Sequence, residues 1–79
     1  PVRFRRDLTE FWSLWQSEKF WACHEALETV WRAEKSPRRR QFLQGLVHLS
    51  AAIFQHRRGN GIGCARQMTR ARVRLEPFF

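Results

Sequence analysis

The 79 residues are enough for one domain, and a domain this small buries only about 60% of the surface of its unfolded chain. The formal net charge of +8 favours acidic or phosphate-bearing partners, while the lack of tyrosine excludes phenol chemistry. Cys23 and Cys64 are too few for a disulfide framework, and the longest uncharged apolar run, residues 42–55, is too short to cross a membrane. These features predict a cytoplasmic protein with two free thiols.

Two helices are predicted in the first half of the chain, because apolar residues recur there every three or four positions. The stripe of the first helix consists of Leu8, Phe11, Trp12 and Trp15. Asp7 stands just before this stripe and is its predicted N-cap. The second helix is expected over residues 20–34.

A third helix is predicted from Ser36-Pro37, where serine is the cap and proline takes the first helical position. It runs to about Arg58 and stops at Gly59, a residue that readily adopts the left-handed conformation at a helix end. The centre of its apolar face is expected at Phe42, Leu46, Leu49 and Ile53.

Asn60 is the predicted cap of a fourth helix, and Pro77 ends its pattern. The expected inner face of this helix is Cys64, Met68, Ala71 and Leu75. Because the connections are short, consecutive helices should be antiparallel. The sequence thus predicts an all-α fold: a single domain over residues 1–79 that forms a compact antiparallel bundle of four main helices, with a C-terminus that looks cut short. The expected core is Phe11, Trp15, Leu27, Trp31, Leu46, Leu49 and Ile53.

The second helix carries a polar pair, His24 and Glu28, on the face that also holds Leu27 and Trp31. An unsatisfied buried polar group costs about 1–3 kcal/mol, so this pair must be hydrogen-bonded, ion-paired or bound to a metal. With Glu25, the string is one residue away from the H-E-x-x-H zinc motif. His24 and Glu28 are therefore candidate ligands for a divalent metal, although no cofactor is predicted. The alternative is an internal His–Glu contact that fixes helix packing.

A third metal ligand would have to come from His48 or His56, which point to sides of the third helix that differ by about 80°. His56 is expected to be a histidine at the edge of the core. His48 belongs to a separate row on that helix, which consists of Gln41, Gly45, His48 and Ala52. The small residues of this row should let a neighbouring helix approach closely and meet its two polar side chains.

Two groups of arginines are candidate contacts for anions or nucleic acid. Arg38, Arg39 and Arg40 lie in the first turn of the third helix, where their charge opposes the helix dipole unless an acidic neighbour or an anion compensates. A second group is predicted as a ridge on the fourth helix and consists of Arg66, Arg70 and Arg74.

The chain resembles the bacterial and archaeal domain of unknown function 309 (DUF309) from about residue 11 to residue 75. The motifs that carry the resemblance are F-x-x-x-H-E-x-L-E-x-x-W from Phe20, Q-G-L-V from Gln44, and G-N-x-x-G-x-A from Gly59. The resemblance implies a small helical bundle without an assigned activity. Its polar positions map to His24, Glu25, Glu28, His56 and Asn60, and its packing positions include Trp31 and Gly45.

The leading hypothesis is a module that binds a small ligand or a protein partner through the site around His24 and Glu28. Two other classes stay open: a metal-dependent enzyme that uses the same pair, and a basic protein associated with nucleic acid. Self-association, most simply as a dimer, is also expected, because one small core cannot enclose all the aromatic residues. Those in excess are Phe4, Trp12, Trp21 and Phe54.

Overall fold

The computed structural model describes the backbone of residues 2–79 and the side chains of residues 8–79. Over these residues the chain forms four α-helices and a terminal 3₁₀ turn, without a strand. The helices are α1 (Val2–Gln16), α2 (Phe20–Ala33), α3 (Pro37–Arg57) and α4 (Gly61–Leu75), and the 3₁₀ turn is Glu76–Phe78. The predicted all-α fold of four helices is confirmed. None of the helices is long and apolar enough to cross a membrane within the described part of the chain.

The ends of α3 and α4 follow the sequence signals. The Ser36 hydroxyl accepts a hydrogen bond from the Arg39 amide at 3.5 Å, and Gly59 adopts a φ of +79° after α3. The Asn60 side chain then accepts a bond from the Gly63 amide at 2.9 Å, which caps α4. Each of these signals is local in sequence, and each helix boundary they predicted lies within one residue of the observed one.

The predicted start of the first helix is wrong. Helix α1 begins at Val2, so Asp7 lies inside it rather than before it. The residues ahead of Asp7 include Arg5 and Arg6, which are strong helix formers that extend the helix toward the N-terminus. The side chain of Asp7 is outside the described residues.

Helix α3 is central, because it packs against α2 on one side and against α4 on the other. Helix α1 packs against α2, so that consecutive helices are spatial neighbours. The radius of gyration is 12.2 Å, close to the roughly 12 Å expected of a compact domain of this length. Since two helices cover α3, more than one of its faces is buried.

The apolar core lies between α1, α2 and the α2-facing side of α3. Its buried members are Phe11, Cys23, Leu27, Leu43 and Val47, and its half-buried neighbours include Trp15, Trp31 and Leu46. Of the predicted core, Leu49 and Ile53 lie outside this cluster and are only half-buried. The buried stripe of α3 is thus displaced by one residue from the predicted one, a rotation of about 100°.

Helix α4 faces inward by the predicted side at Cys64, Ala71 and Leu75, but not at Met68. Ala71 is buried as expected, but Met68 is 42% exposed. Gln67, its neighbour in sequence, is half-buried and turns toward α3 instead, where it bonds to His48.

Candidate functional site

His24 and Glu28 form the predicted pair one turn apart on α2. The His24 Nε2 atom lies 3.5 Å from the Glu28 Oε2 atom, and their side chains are 17% and 29% exposed. Glu28 also forms an ion pair with Arg32, one turn further along the helix. The His24 ring stacks on Trp21, with ring centroids 4.9 Å apart. The Nδ1 atom of His24 is buried and has no hydrogen-bond partner among the residues described.

A second histidine, His48, joins the site from α3. Its Nδ1 atom lies 2.7 Å from the Gln67 Oε1 atom on α4. Because an amide oxygen only accepts, we assign the ring proton to Nδ1, which leaves Nε2 as an acceptor. Nε2 has no hydrogen-bond partner within residues 8–79.

The electrostatics of the site keep His48 neutral. Burial lowers the pKa of His48, and the positive charges of Arg74 and Arg70 lower it further, while the bond to Gln67 acts in the opposite direction. His24 is also close enough to lower the pKa of His48. The two imidazoles therefore interact electrostatically, although they come from different helices.

The row on α3 behaves as predicted from its small residues. At Gly45, an added Cβ atom would lie 2.5 Å from the Cγ atom of Leu75 on α4, so only glycine permits this approach. The Gln41 side-chain amide donates to the Arg74 carbonyl at 3.2 Å. With the bond from His48 to Gln67, both polar members of the row bind α4.

A pocket of about 540 Å³ lies beside these contacts. It is bounded by the ends of α2 and α4 and by the first half of α3, and its lining residues are Trp31, Pro37, Arg40, Gln41, Gln44, Val73 and Arg74. Arg74 lines this pocket and also lowers the pKa of His48, which lies one turn along α3 from the lining residue Gln44. We call the pocket the α2–α4 groove, with α3 as its floor, and its polar lining consists of Arg40, Gln41, Gln44 and Arg74.

Three polar positions of the family resemblance lie away from this groove. Glu25, His56 and Asn60 are exposed, and none of them forms a side-chain hydrogen bond or ion pair with His24 or Glu28 in the described structure. Asn60 caps α4 and donates through Nδ2 to Gln55 at 3.1 Å. His56 is not at the edge of the core but exposed at the end of α3. The structure thus unites His24 and Glu28 and gives Asn60 a role in helix capping.

The arginines at the start of α3 turn toward the end of α2. Arg39 pairs with Glu34 at 3.2 Å, and Arg40 donates to the carbonyls of Trp31 and Glu34 at 2.9 and 3.0 Å. Arg38 lies over the ring of Phe78. A carboxylate and the negative end of the α2 dipole thus compensate the charge that opposes the α3 dipole, as the sequence required.

The three arginines of the ridge on α4 differ in their exposure to solvent. Arg66 and Arg70 are exposed, whereas Arg74 is half-buried and lines the groove. No group of three histidine, cysteine or acidic side chains is arranged to hold a metal within the described residues. His24 and Glu28 therefore have each other but no third ligand from this part of the chain.

Fold and site together define the class: an all-helical domain with a His–Glu pair on α2 and a groove between α2, α3 and α4 that arginines and amides line. The family model described as domain of unknown function (DUF309) matches residues 8–67, and the chain belongs to this family. It is 33% identical over 68 residues to the uncharacterized protein YpuF of Bacillus subtilis (strain 168). The match covers 86% of this chain but only 37% of YpuF, so the chain spans little more than a third of that relative. No solved structure matches the chain.

Proposed function

We propose that this domain is a binding module for a small ligand and that the α2–α4 groove is its site. The observation that carries the proposal is a pocket of about 540 Å³ whose lining combines apolar surface with two arginines and two amides. Ligand sites typically measure about 300–1,000 Å³ and combine apolar walls with a few polar groups. Trp31 and Val73 supply apolar surface here, while Gln41 and Gln44 supply hydrogen-bonding groups from the floor.

The rigidity of the groove supports the same proposal. The α4 wall is fixed to the floor by the close approach at Gly45 and by the bond between His48 and Gln67. The α2 wall is fixed by the hydrogen bonds from Arg40 to the Trp31 and Glu34 carbonyls. Such preorganised polar groups lose little conformational entropy when a ligand binds.

A fragment titration tests the proposal. We expect small aromatic and polar fragments at about 1 mM, a range suited to weak first binders, to shift the NMR signals of the Trp31 indole and the His48 ring. Gln44→Phe would fill the floor of the pocket and should abolish these shifts. Thr69→Phe makes the same change on the exposed side of α4 and should leave them intact.

Two outcomes would overturn the binding function. One is a diverse fragment set in which nothing shifts Trp31 or His48. The other is a set of shifts that survives Gln44→Phe unchanged, since binding would then lie elsewhere.

Self-association and a cytoplasmic location are further parts of this proposal. Trp12 and Trp21 are 53% and 48% exposed, and Trp12 lines an apolar groove of about 300 Å³ together with Phe42 and Leu46. Such a surface is typical of interface cores, and a pure monomer in sedimentation equilibrium would contradict self-association. The free thiols Cys23 and Cys64 suit a reducing compartment, which localisation by microscopy of a tagged protein would test.

A further inference from the structure

We infer that the ligand of the α2–α4 groove is an organic anion, a carboxylate or a phosphate monoester of metabolite size. Its charged group would lie at Arg74, and its apolar part against Trp31 and Val73. This inference rests on the proposed binding function and specifies the chemistry of the ligand.

The lining of the pocket carries the charge argument. Two guanidinium groups, Arg40 and Arg74, and two amides, Gln41 and Gln44, line a space that has no acidic residue among the described side chains of its lining. Guanidinium and amide N–H groups are donors that match the oxygens of carboxylates and phosphates. A cationic ligand would be repelled by the two guanidinium groups, and a purely apolar ligand would not use these donors.

The two arginines are suited to different tasks. Arg40 is held by the carbonyls of Trp31 and Glu34 through one nitrogen, Nη1, and its guanidinium lies 4.9 Å from the centre of the Trp31 ring. It therefore contributes a fixed charge and a fixed wall. For the guanidinium of Arg74, the one hydrogen bond found in the described structure is to the Arg70 carbonyl, at the limiting distance of 3.5 Å. Arg74 is thus the guanidinium that can reorient toward a ligand.

Nearby carboxylates do not compete for Arg74. Glu28 is engaged by Arg32 and lies beside His24. Glu34 is engaged by Arg39 and by the Ser36 amide, and both interactions lower its pKa. The acidic side chains closest along α2 are therefore already paired, and the positive charge of the groove is left uncompensated.

The arginines of α4 also act on His48, whose pKa is lowered most by its burial. Arg74 and Arg70 both act to lower its pKa, as positive charges do to a nearby base. An anion bound at Arg74 would offset this effect and raise the pKa of His48. A neutral ligand in the same place would not, which gives the inference a signature of its own.

Benzoate and phenyl phosphate are the probes, with benzamide as the uncharged counterpart of benzoate. We expect calorimetry to give an affinity at least about tenfold higher for the anions than for benzamide, in line with a charged hydrogen bond. The NMR titration of the His48 ring should move to higher pH in the presence of saturating benzoate. It should stay in place with benzamide.

Matched variants on α4 locate the charge that matters. Arg74→Gln should weaken benzoate binding about tenfold or more, whereas Arg66→Gln removes the same charge from the exposed ridge and should change it less than about twofold. Arg74→Lys keeps the charge and should retain much of the affinity. This variant keeps the test decisive if Arg74→Gln disturbs folding, which circular dichroism would reveal.

The opposing results are distinct. Equal affinity for benzamide and benzoate would overturn the anion specificity while leaving the binding function in place. Equal losses in Arg74→Gln and Arg66→Gln, or tighter binding of a single-stranded oligonucleotide than of either probe, would assign the charge to a diffuse surface for nucleic acid instead. If neither these probes nor fragments shift Trp31 or His48, the proposed function itself fails.

Discussion

Leu43 and Gly45 lie two residues apart in α3, yet they belong to faces that are built in opposite ways. The face around Leu43 fills the space toward α2 with branched side chains, together with Val47 and the facing Leu27. The face around Gly45 has no side chain at its closest point, so that Leu75 of α4 approaches the backbone. The α2-facing side of α3 is stabilised by large buried apolar side chains. The α4-facing side is stabilised by the close helix approach that a residue without a side chain permits.

The difference explains where the polar groups of the chain are placed. An interface filled by large apolar side chains has no room for donors and acceptors other than the small thiol and hydroxyl of Cys23 and Ser50. A close approach over small residues brings the backbone of α4 within reach of Gln41, and its side chains within reach of His48. The groove therefore opens on the α4 side of α3, where polar contacts help to hold the helices together.

The largest effect should come from removing volume on the α2 side. Leu43 is fully buried, so Leu43→Ala should lower the free energy of unfolding by about 2–5 kcal/mol, as cavity-forming substitutions do. Urea denaturation measures the loss, with the exposed Gln16→Ala as a control expected within about 0.5 kcal/mol of wild type. A loss below about 1 kcal/mol would show that this face does not depend on its volume.

The α4 side should respond to the addition of volume instead. Gly45→Ala gains about 1 kcal/mol of helix propensity but overpacks against Leu75 at a cost of about 1–3 kcal/mol, so we expect net destabilisation. In a Leu75→Ala background the clash is gone, and the same substitution should stabilise the domain by up to about 1 kcal/mol. A double-mutant cycle in urea measures this change of sign. If Gly45→Ala stabilises the otherwise unchanged chain, the close approach is not what holds the two helices.

The smallest expected effect is on the pH dependence of the stability of the domain, through His48 on the α4-facing side of α3. Burial lowers the pKa of His48 in the folded state below its ordinary value of 6.5, with further lowering by Arg74, Arg70 and His24. The unfolded chain then binds more protons between the two pKa values, so stability rises with pH through this window. The contribution is complete above about pH 6.5 and is lost as the pH falls through the lowered value.

His48→Gln should flatten this part of the curve of melting temperature against pH, because glutamine can still donate to Gln67 but does not titrate. The exposed His56→Gln serves as the control and should leave the slope unchanged. Melting curves between pH 5 and 8 measure both variants. A slope that disappears with His56→Gln and survives His48→Gln would contradict the assignment.

The parts of the fold that depend on residues close together in sequence could be predicted from the sequence. Ser36-Pro37, Gly59 and Asn60 place the ends of α3 and α4, since caps and turns act within a few residues. The row through Gly45 and His48 could also be predicted, because helical spacing alone puts its members on one face. For the same reason, the contact between His24 and Glu28 was expected.

The other parts depend on how the helices pack, which spacing does not reveal. Helix α3 is covered on two sides, so its sequence lacks one dominant apolar stripe, and the stripe predicted through Leu46 and Leu49 is displaced by one residue. Gln67 as the partner of His48 depends on the depth at which α4 meets α3. Gln67 stands four residues before Ala71, and this spacing places both residues on the inner side of α4. The spacing could therefore have predicted that Gln67 faces α3.

The burial of Cys23 has a consequence for the chemical durability of the chain. Its sulfur lies between helices, 3.7 Å from the Phe11 carbonyl and 3.6 Å from the Ser50 hydroxyl, and burial raises its pKa. The thiolate is the form of cysteine that reacts with alkylating and oxidising reagents. Because Cys23 is buried and its pKa is raised, such reagents modify it only in molecules whose helices have separated. Cys64 on α4 is only half-buried, so its sulfur is more accessible to reagents than that of Cys23. The rate of Cys23 modification therefore measures how often the helices separate. Oxidative damage to Cys23 is limited by the rate of that opening.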